Sequence, residues 1–249
     1  MCNIEKPIIK DITTDTFFNG RITVAQYISG YRFSIDSVLL ANMVRLQDSD
    51  RICDIGTGCG IIPIVLGYRH PGVSAIYGIE LQERLAQIAT CNVNQNQMAH
   101  RIKIIHRDAT SMNANDTDGL IDLVICNPPH YEKHSSRINP DSEKALARHE
   151  IALDIKKLLS TTRRILAPRG RLIVIYPARR ITELLSDMRN TGIEPKFLRF
   201  VHNSPGKEAM RVIVEGINNG GPGARIAEPL FINDAQGLYT PEIEAMFAG

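Results

Sequence analysis

The sequence predicts an α/β fold built on a doubly wound sheet that is mixed at one edge. Three observations carry that expectation. Strand-like and helix-like segments alternate from residue 51 onward, the pattern of a parallel sheet with helices on both faces. A glycine-rich turn, DIGTGCG, joins the first of those strands to the first of those helices. Near the end, two strand-like runs meet at the tight turn Asn203-Ser204-Pro205-Gly206, which closes the sheet with an antiparallel pair.

Taken in order, residues 51–53 read as a strand, 61–68 as a helix, 74–79 as a strand and 81–95 as a helix. Residues 102–106 and 121–126 are the third and fourth strands. Residues 146–166 read as a helix with Pro168 and Gly170 as stop signals, and 171–176 as the fifth strand. Residues 181–190 form a helix ended by Gly192, and 196–202 and 209–215 are the closing pair. Ahead of this core, residues 34–45 are an amphipathic helix candidate, with Ser34 and Asp36 as possible caps. The first thirty or so residues and the stretch from Asn218 on carry more turn signals than periodicity. The expected organisation is one domain over residues 1–249, with an N-terminal extension, 1–33, and an irregular tail, 217–249.

Composition narrows the class. The chain has 249 residues, 43% of them hydrophobic, enough for one α/β domain with a substantial core. No apolar run approaches the ~20 residues that span a bilayer, and the first fifteen residues lack the apolar stretch of a signal peptide, so a cytoplasmic protein is expected. Cys2, Cys53, Cys59, Cys91 and Cys126 contain no C-x-x-C pair. Cys53, Cys91 and Cys126 fall in apolar or helical runs, which points to reduced, buried thiols rather than disulfides or zinc. Cys59 lies inside the glycine turn with no His near it in sequence to activate it.

Two motifs carry chemistry. Gly56, Gly58 and Gly60 follow G-x-G-x-G, not the G-x-G-x-x-G spacing of dinucleotide-binding turns. Glu80 closes the next strand, twenty residues after Gly60, where a carboxylate can accept both hydroxyls of a ribose. Downstream, Asn127-Pro128-Pro129-His130 follows directly on the strand IDLVIC. Prolines carry no N–H, so the carbonyls of Asn127 and Pro128 are left to accept from a planar NH₂ group. Alone, such a stretch is a loop that stops a strand. After a glycine turn and an acidic strand end it points to S-adenosylmethionine and to a target nitrogen that is an exocyclic amine or a carboxamide.

These residues resemble the class I S-adenosylmethionine-dependent methyltransferases and, more narrowly, the tRNA1(Val) adenine-N6 methyltransferase family. The likeness is carried by GYRFSIDSVLLA (30–41), DIGTGCGIIP (54–63), GIELQERLAQIA (78–89), CNPPHY (126–131), ARHE (147–150) and EAMRVIVEG (208–216), in family order over most of the chain. The resemblance implies a Rossmann-like, seven-stranded doubly wound sheet with the cofactor at the carboxyl ends of the strands. It implies that Gly56, Gly58 and Gly60 pass beneath the methionine moiety, that Glu80 binds the ribose and that Asp108 accepts from the adenine amine. Asp54, Thr57, Ala109 and Asn127 belong to the same implied cofactor site. Phe33 and Asp36 close over the methionine end, although a helix cap also accounts for Asp36, and a solvated loop acid for Asp108.

The implied reaction is methyl transfer to the N6 amine of an adenosine in tRNA, near the anticodon, with Asn127, Pro128, Pro129, His130 and Tyr131 around the target. Related adenine enzymes carry an aromatic ring directly after NPP; here His130 stands there and Tyr131 follows, so either ring is the stacking partner. NPP also serves guanine-N2 methyltransferases of rRNA and protein-glutamine methyltransferases, and a non-catalytic RNA-binding module is a further class. Net charge is only +2, yet residues 151–200 hold eleven Lys and Arg against four Asp and Glu. Lys156, Lys157, Arg163, Arg164, Arg169, Arg171, Arg179 and Arg180 make up most of that excess. They are either a solvated helix face or a surface for RNA phosphates.

Overall fold

The computed structural model describes residues 11–30, 32–128 and 155–248. Its centre is a sheet whose seven long strands run in the order β8-β9-β7-β6-β3-β4-β5. These are β3 (Arg51–Ile55), β4 (Ala75–Glu80), β5 (Ile102–His106), β6 (Ile121–Cys126), β7 (Leu166–Pro177), β8 (Ile193–His202) and β9 (Ala209–Asn218). β9 runs antiparallel to both its neighbours and the rest are parallel, so the sheet is mixed at the expected edge. The chain builds outward from β3 to β4 and β5, then returns to place β6 on the other side of β3. That reversal opens a crevice at the carboxyl ends, where doubly wound sheets bind ligands.

Both faces are covered, which is why the strands read as continuous apolar runs. Ile52, Leu123, Ile125, Ile173 and Ile175 point to one face and pack with α1 (Ile35–Met43), α2 (Ile61–Arg69), α3 (Glu83–Gln95) and α6 (Pro241–Ala248). The alternate residues Cys53, Val124, Cys126, Leu172 and Val174 pack with α4 (Ile155–Ile165) and α5 (Ile181–Asn190). Among the described residues no helix is long and apolar enough to cross a membrane.

Several boundaries differ from the sequence expectation, each for a physical reason. The N-terminal extension is not turn-dominated: β1 (Ile12–Phe17) and β2 (Ile22–Tyr27) form a hairpin. Phe18, Asn19 and Gly20 turn it with positive φ, and Ile22 and Val24 are fully buried. The tail is not irregular either. It adds two short strands, β10 (Arg225–Ile226) and β11 (Leu230–Phe231), parallel to β8. It then ends in α6, tied to β8 by the paired bonds of Arg199 to Glu242 at 2.7 and 2.8 Å.

Pro168 and Gly170 do not lie in a loop after the helix. α4 ends at Ile165, Leu166 already pairs with Ile121, and the two residues fall within β7 at a register shift. A Cβ at Gly170 would stand 2.9 Å from the Ala167 carbonyl oxygen, so a glycine is required there. The part of the expected 146–166 helix before Ile155 lies outside the described residues, as does the ARHE stretch. Cys53 and Cys126 are buried free thiols, as expected, and Cys59 in the glycine turn is a third. Cys91 is disulfide-bonded, against expectation; it is only half-buried on α3, unlike the three others.

Candidate active site at the carboxyl ends of the strands

Register sets the site. Ile55 pairs with Ile79 on one side and with Cys126 on the other, so Glu80, Gly56 and Asn127 leave three adjacent strands in one row. The amides of Gly56 and Thr57 both donate to the Ile79 carbonyl, at 2.9 and 3.0 Å, folding the chain back over β4. Gly56, Gly58 and Gly60 have φ of 77°, 58° and 84°. They differ in surroundings. A Cβ at Gly56 would meet open space, whereas one at Gly60 would stand 3.3 Å from Ala89 Cβ. Gly60 therefore serves the packing of α3 against the turn, and Gly56 leaves backbone accessible to a ligand.

Glu80 braces this turn. Its Oε2 accepts from Gly58 N at 2.9 Å and its Oε1 from Gln82 N at 2.8 Å. Burial raises its carboxyl above the usual range while those amides oppose the shift. Beneath the turn, Asp54 is fully buried, and neither of its oxygens, nor Thr57 Oγ1, has a partner of hydrogen-bonding geometry. Burial pushes the Asp54 carboxyl up to about 7; the nearby Thr57 hydroxyl opposes this without completing a bond, and the Glu80 charge adds to it. Beside Glu80, Leu81 is 45% exposed, an apolar surface on the crevice wall that the sequence reading did not single out.

Asp108 follows β5 on the same edge. Its Oδ1 accepts from Thr110 N and Thr110 Oγ1, both at 2.8 Å, capping a short 3-10 turn in which Ala109 is buried. Cys59 is no nucleophile: burial pushes its thiol up to about 12, and its carbonyl accepts from Asn92 Nδ2 at 2.9 Å.

Just past β6, Asn127 is half-buried and Pro128 buried. Asn127 Nδ2 donates to Ser37 Oγ at 3.0 Å, a contact with no local signal in the chain. Ser37 lies in the first turn of α1, where Ser34, not Asp36, is the cap: its Oγ accepts from Asp36 N at 3.3 Å. Asp36 instead pairs with Arg211 of β9 at 3.0 Å. Phe33 sits just before this turn, its amide donating to Gln26 Oε1 and its ring 5.7 Å from that of Phe17. Pro129, His130 and Tyr131 lie outside the described residues.

The basic cluster does not form one surface. Arg163 reaches Asn219 at 3.0 Å, just past the end of β9, and Arg171 pairs with Asp50 at 2.9 Å, just before β3; both places are at the amino-terminal ends of the parallel strands. Arg164 donates to the carbonyls of Met112 and Thr110, and Arg169 precedes Arg171 at that same end. Arg163, Arg169 and Arg171 are therefore separated from the crevice by the length of the sheet, whereas Arg164 is held by the turn that follows β5. Lys156 and Lys157 are exposed at the start of α4. Arg179 and Arg180 follow the carboxyl end of β7, on the crevice edge, with Arg180 also bonded to Glu183.

Comparison with known proteins agrees with this geometry. Residues 27–191 match the family model for the methyltransferase small domain. A tRNA1(Val) (adenine(37)-N6)-methyltransferase of Porphyromonas gingivalis is 30% identical over 237 residues, 92% of each chain. One of Shewanella frigidimarina is 28% identical, covering 88% of this chain and 83% of its own. Among solved structures, an Agrobacterium tumefaciens protein described as a predicted O-methyltransferase superposes with a TM-score of 0.67 at 19% identity, over 85% of this chain and 94% of its own. M. jannaschii TYW2 in complex with AdoMet gives 0.57 at 15%, over 83% and 85%.

Proposed function

The chain belongs to the methyltransferase small-domain family and, within it, to the tRNA1(Val) (adenine(37)-N6)-methyltransferases, and from that premise we propose that it methylates the N6 amine of an adenosine in tRNA near the anticodon. It is a methyltransferase that uses S-adenosylmethionine. The observation that carries the proposal is the row of Glu80, Gly56 and Asn127, which sets an acidic strand end, an open glycine turn and an acceptor amide side by side.

The residues fit the cofactor. Buried Asp54 and Thr57 atoms without partners, under a turn with open space at Gly56, are what a polar ligand would complete. We assign Asp54, Thr57, Gly56 and Gly58 to the methionine end, with Phe33 and the first turn of α1 above it. Each Glu80 oxygen already accepts one amide, and a carboxylate has about four acceptor sites, so two remain for ribose hydroxyls. Asp108 Oδ2, on the far side of its cap, and the buried Ala109 suit the adenine.

When bound, the cofactor supplies an electrophilic methyl group. The amine it meets is a poor nucleophile, because its lone pair is delocalised into the purine. Asn127 Oδ1 and the Pro128 carbonyl accept its two hydrogens, favour a pyramidal nitrogen and leave the lone pair directed at the methyl. No strong base is needed, since the methylated ammonium sheds its proton to solvent after transfer. The gain is alignment and fixed dipoles. An anticodon-loop base is already partly unstacked, so its extraction costs less than from a duplex. For RNA phosphates, the position of Arg179 and Arg180 on the crevice edge supports contact better than that of Arg163, at the opposite end of the sheet, or than Arg164, whose guanidinium is taken up by two carbonyls.

Incubation with labelled S-adenosylmethionine and unmodified tRNA, rRNA and protein pools, followed by nucleoside and peptide mass spectrometry, tests the reading. N6-methyladenosine in tRNA is expected. Label confined to guanine of rRNA, or to glutamine, would replace the proposed substrate.

A further inference from the structure

Ser37 stands where no reading of the sequence put a functional residue. The residue is 2% exposed, and its hydroxyl receives Asn127 Nδ2 at 3.0 Å across ninety positions of chain. An amide presents an acceptor on one side and two donors on the other. With Nδ2 turned toward α1, Oδ1 faces the opposite way, and among the described residues no donor reaches it. Were the amide to rotate by half a turn, its NH₂ would face the amine. Two donors would then oppose one another, or the amide would draw off the very lone pair that must attack.

The turn that carries Ser37 is itself fixed. Ser34 caps it, Asp36 is held by Arg211 at 3.0 Å, and Ser37 N donates to Ser34 O at 3.1 Å. The next three residues, Val38, Leu39 and Leu40, are no more than 1% exposed. Ordering such a partner costs nothing extra at the moment of reaction, which is the requirement for a preorganised dipole.

We propose that Ser37 is a positioning residue: its hydroxyl holds the Asn127 amide with Oδ1 toward the target amine and so acts on the methyl-transfer step alone. The proposal rests on the amine-transfer reading given above. It explains why α1 is anchored so firmly at its first turn, and it couples β9, through Arg211 and Asp36, to the orientation of the side chain just past β6.

The test is a double-mutant cycle on the full chain, run with whichever pool accepts methyl. Ser37→Ala is compatible with the helix and is first checked for an unchanged urea midpoint. In the native background it should lower the single-turnover rate about tenfold, the scale of one hydrogen bond, with S-adenosylmethionine affinity and RNA KM unchanged. In the Asn127→Ala background the same change should do almost nothing, because the group it orients is gone. Ser37→Cys, whose thiol is a weak acceptor, should fall between. Equal losses in both backgrounds, a parallel loss of cofactor affinity, or an unaltered rate would each overturn the role of Ser37 while leaving the reaction intact. Absence of transfer from the native protein to any pool would overturn the reaction, and this role with it.

Discussion

Asn92 of α3 binds Ala25 of β2 as a neighbouring strand would: its Oδ1 accepts from Ala25 N at 2.9 Å and its Nδ2 donates to Ala25 O at 2.8 Å. One turn later Asn96 does the same to Thr23, at 3.0 and 2.7 Å. Two amides at i and i+4 on a helix thus extend the hairpin sheet sideways, satisfying backbone groups that would otherwise be buried alone. Asn92 also holds the Cys59 carbonyl, so the hairpin, α3 and the glycine turn share one side chain.

Asn92→Ala should therefore cost about 2–4 kcal/mol, since it strands several buried groups rather than removing a matched pair. Urea denaturation measures this. Asn92→Asp keeps the acceptor but loses both donated bonds, and should also weaken cofactor binding through the displaced turn. A loss below about 1 kcal/mol, the net worth of one ordinary hydrogen bond, would mean the hairpin is held elsewhere.

The buried Asp54 makes the ligand-free protein sensitive to pH, with a definite sign. Its carboxyl is raised from 3.8 to about 7 by burial. Below pH ~4 both the folded and the unfolded chain hold the proton and the group is neutral to stability. Between pH ~4 and ~7 the unfolded chain releases it and the folded one does not, so stability falls as pH rises. The loss is complete above ~7 and amounts to roughly 4 kcal/mol. Asp54→Asn, which cannot ionise, should be more stable than the native protein at pH 8 and about equal to it at pH 4. Urea midpoints at the two values decide; a variant with the same stability difference from native at both would show that folding does not raise the Asp54 carboxyl.

The parts of this site that could be read from the sequence are those set by local chain direction. Glu80, Gly56 and Asn127 each follow an apolar strand directly, and parallel pairing then aligns the strand ends. Helix α5 and the closing pair were legible for the same reason, being bounded by their own turns. Contacts made by side chains far away in sequence were not legible. The hairpin depends on Asn92 and Asn96, whose bonds span 67 and 73 positions, and Ser37 meets Asn127 only because α1 crosses the carboxyl end of β6. Counting charge along residues 151–200 mixed two ends of the molecule, because α4 and β7 run in opposite directions between them.

Cofactor and target functions should separate cleanly. Glu80→Ala removes the carboxylate proposed for the ribose and unties Gly58, so S-adenosylmethionine affinity should fall at least tenfold by isothermal titration, about 1.4 kcal/mol or the loss of one charged hydrogen bond. Asn127→Ala should leave that affinity unchanged and cut the single-turnover rate roughly 10²-fold. The converse pattern, with Asn127 governing cofactor affinity, would move NPP from the target to the cofactor.

The last expectation concerns RNA and reverses what charge counting alone implies. Arg163 and Arg164 are committed to Asn219, Met112 and Thr110, and Arg163 lies across the sheet from the crevice, so replacing both by Ala should lower stability but not RNA affinity. Arg179 and Arg180 stand where β7 reaches the crevice edge, between the end of that strand and α5. Phosphates held there would release counterions, and Arg179→Ala with Arg180→Ala should weaken tRNA binding and flatten the dependence of log K on log salt by about 1.5. Because Arg180 also bonds Glu183, Glu183→Gln serves as the control for loss of that pair, and it should leave the salt slope in place. Fluorescence titrations over a range of salt concentrations supply the slopes. If the Arg163 and Arg164 change flattens the slope and the Arg179 and Arg180 change does not, then the RNA runs along α4 and over the opposite end of the sheet, and only its target loop reaches Asn127.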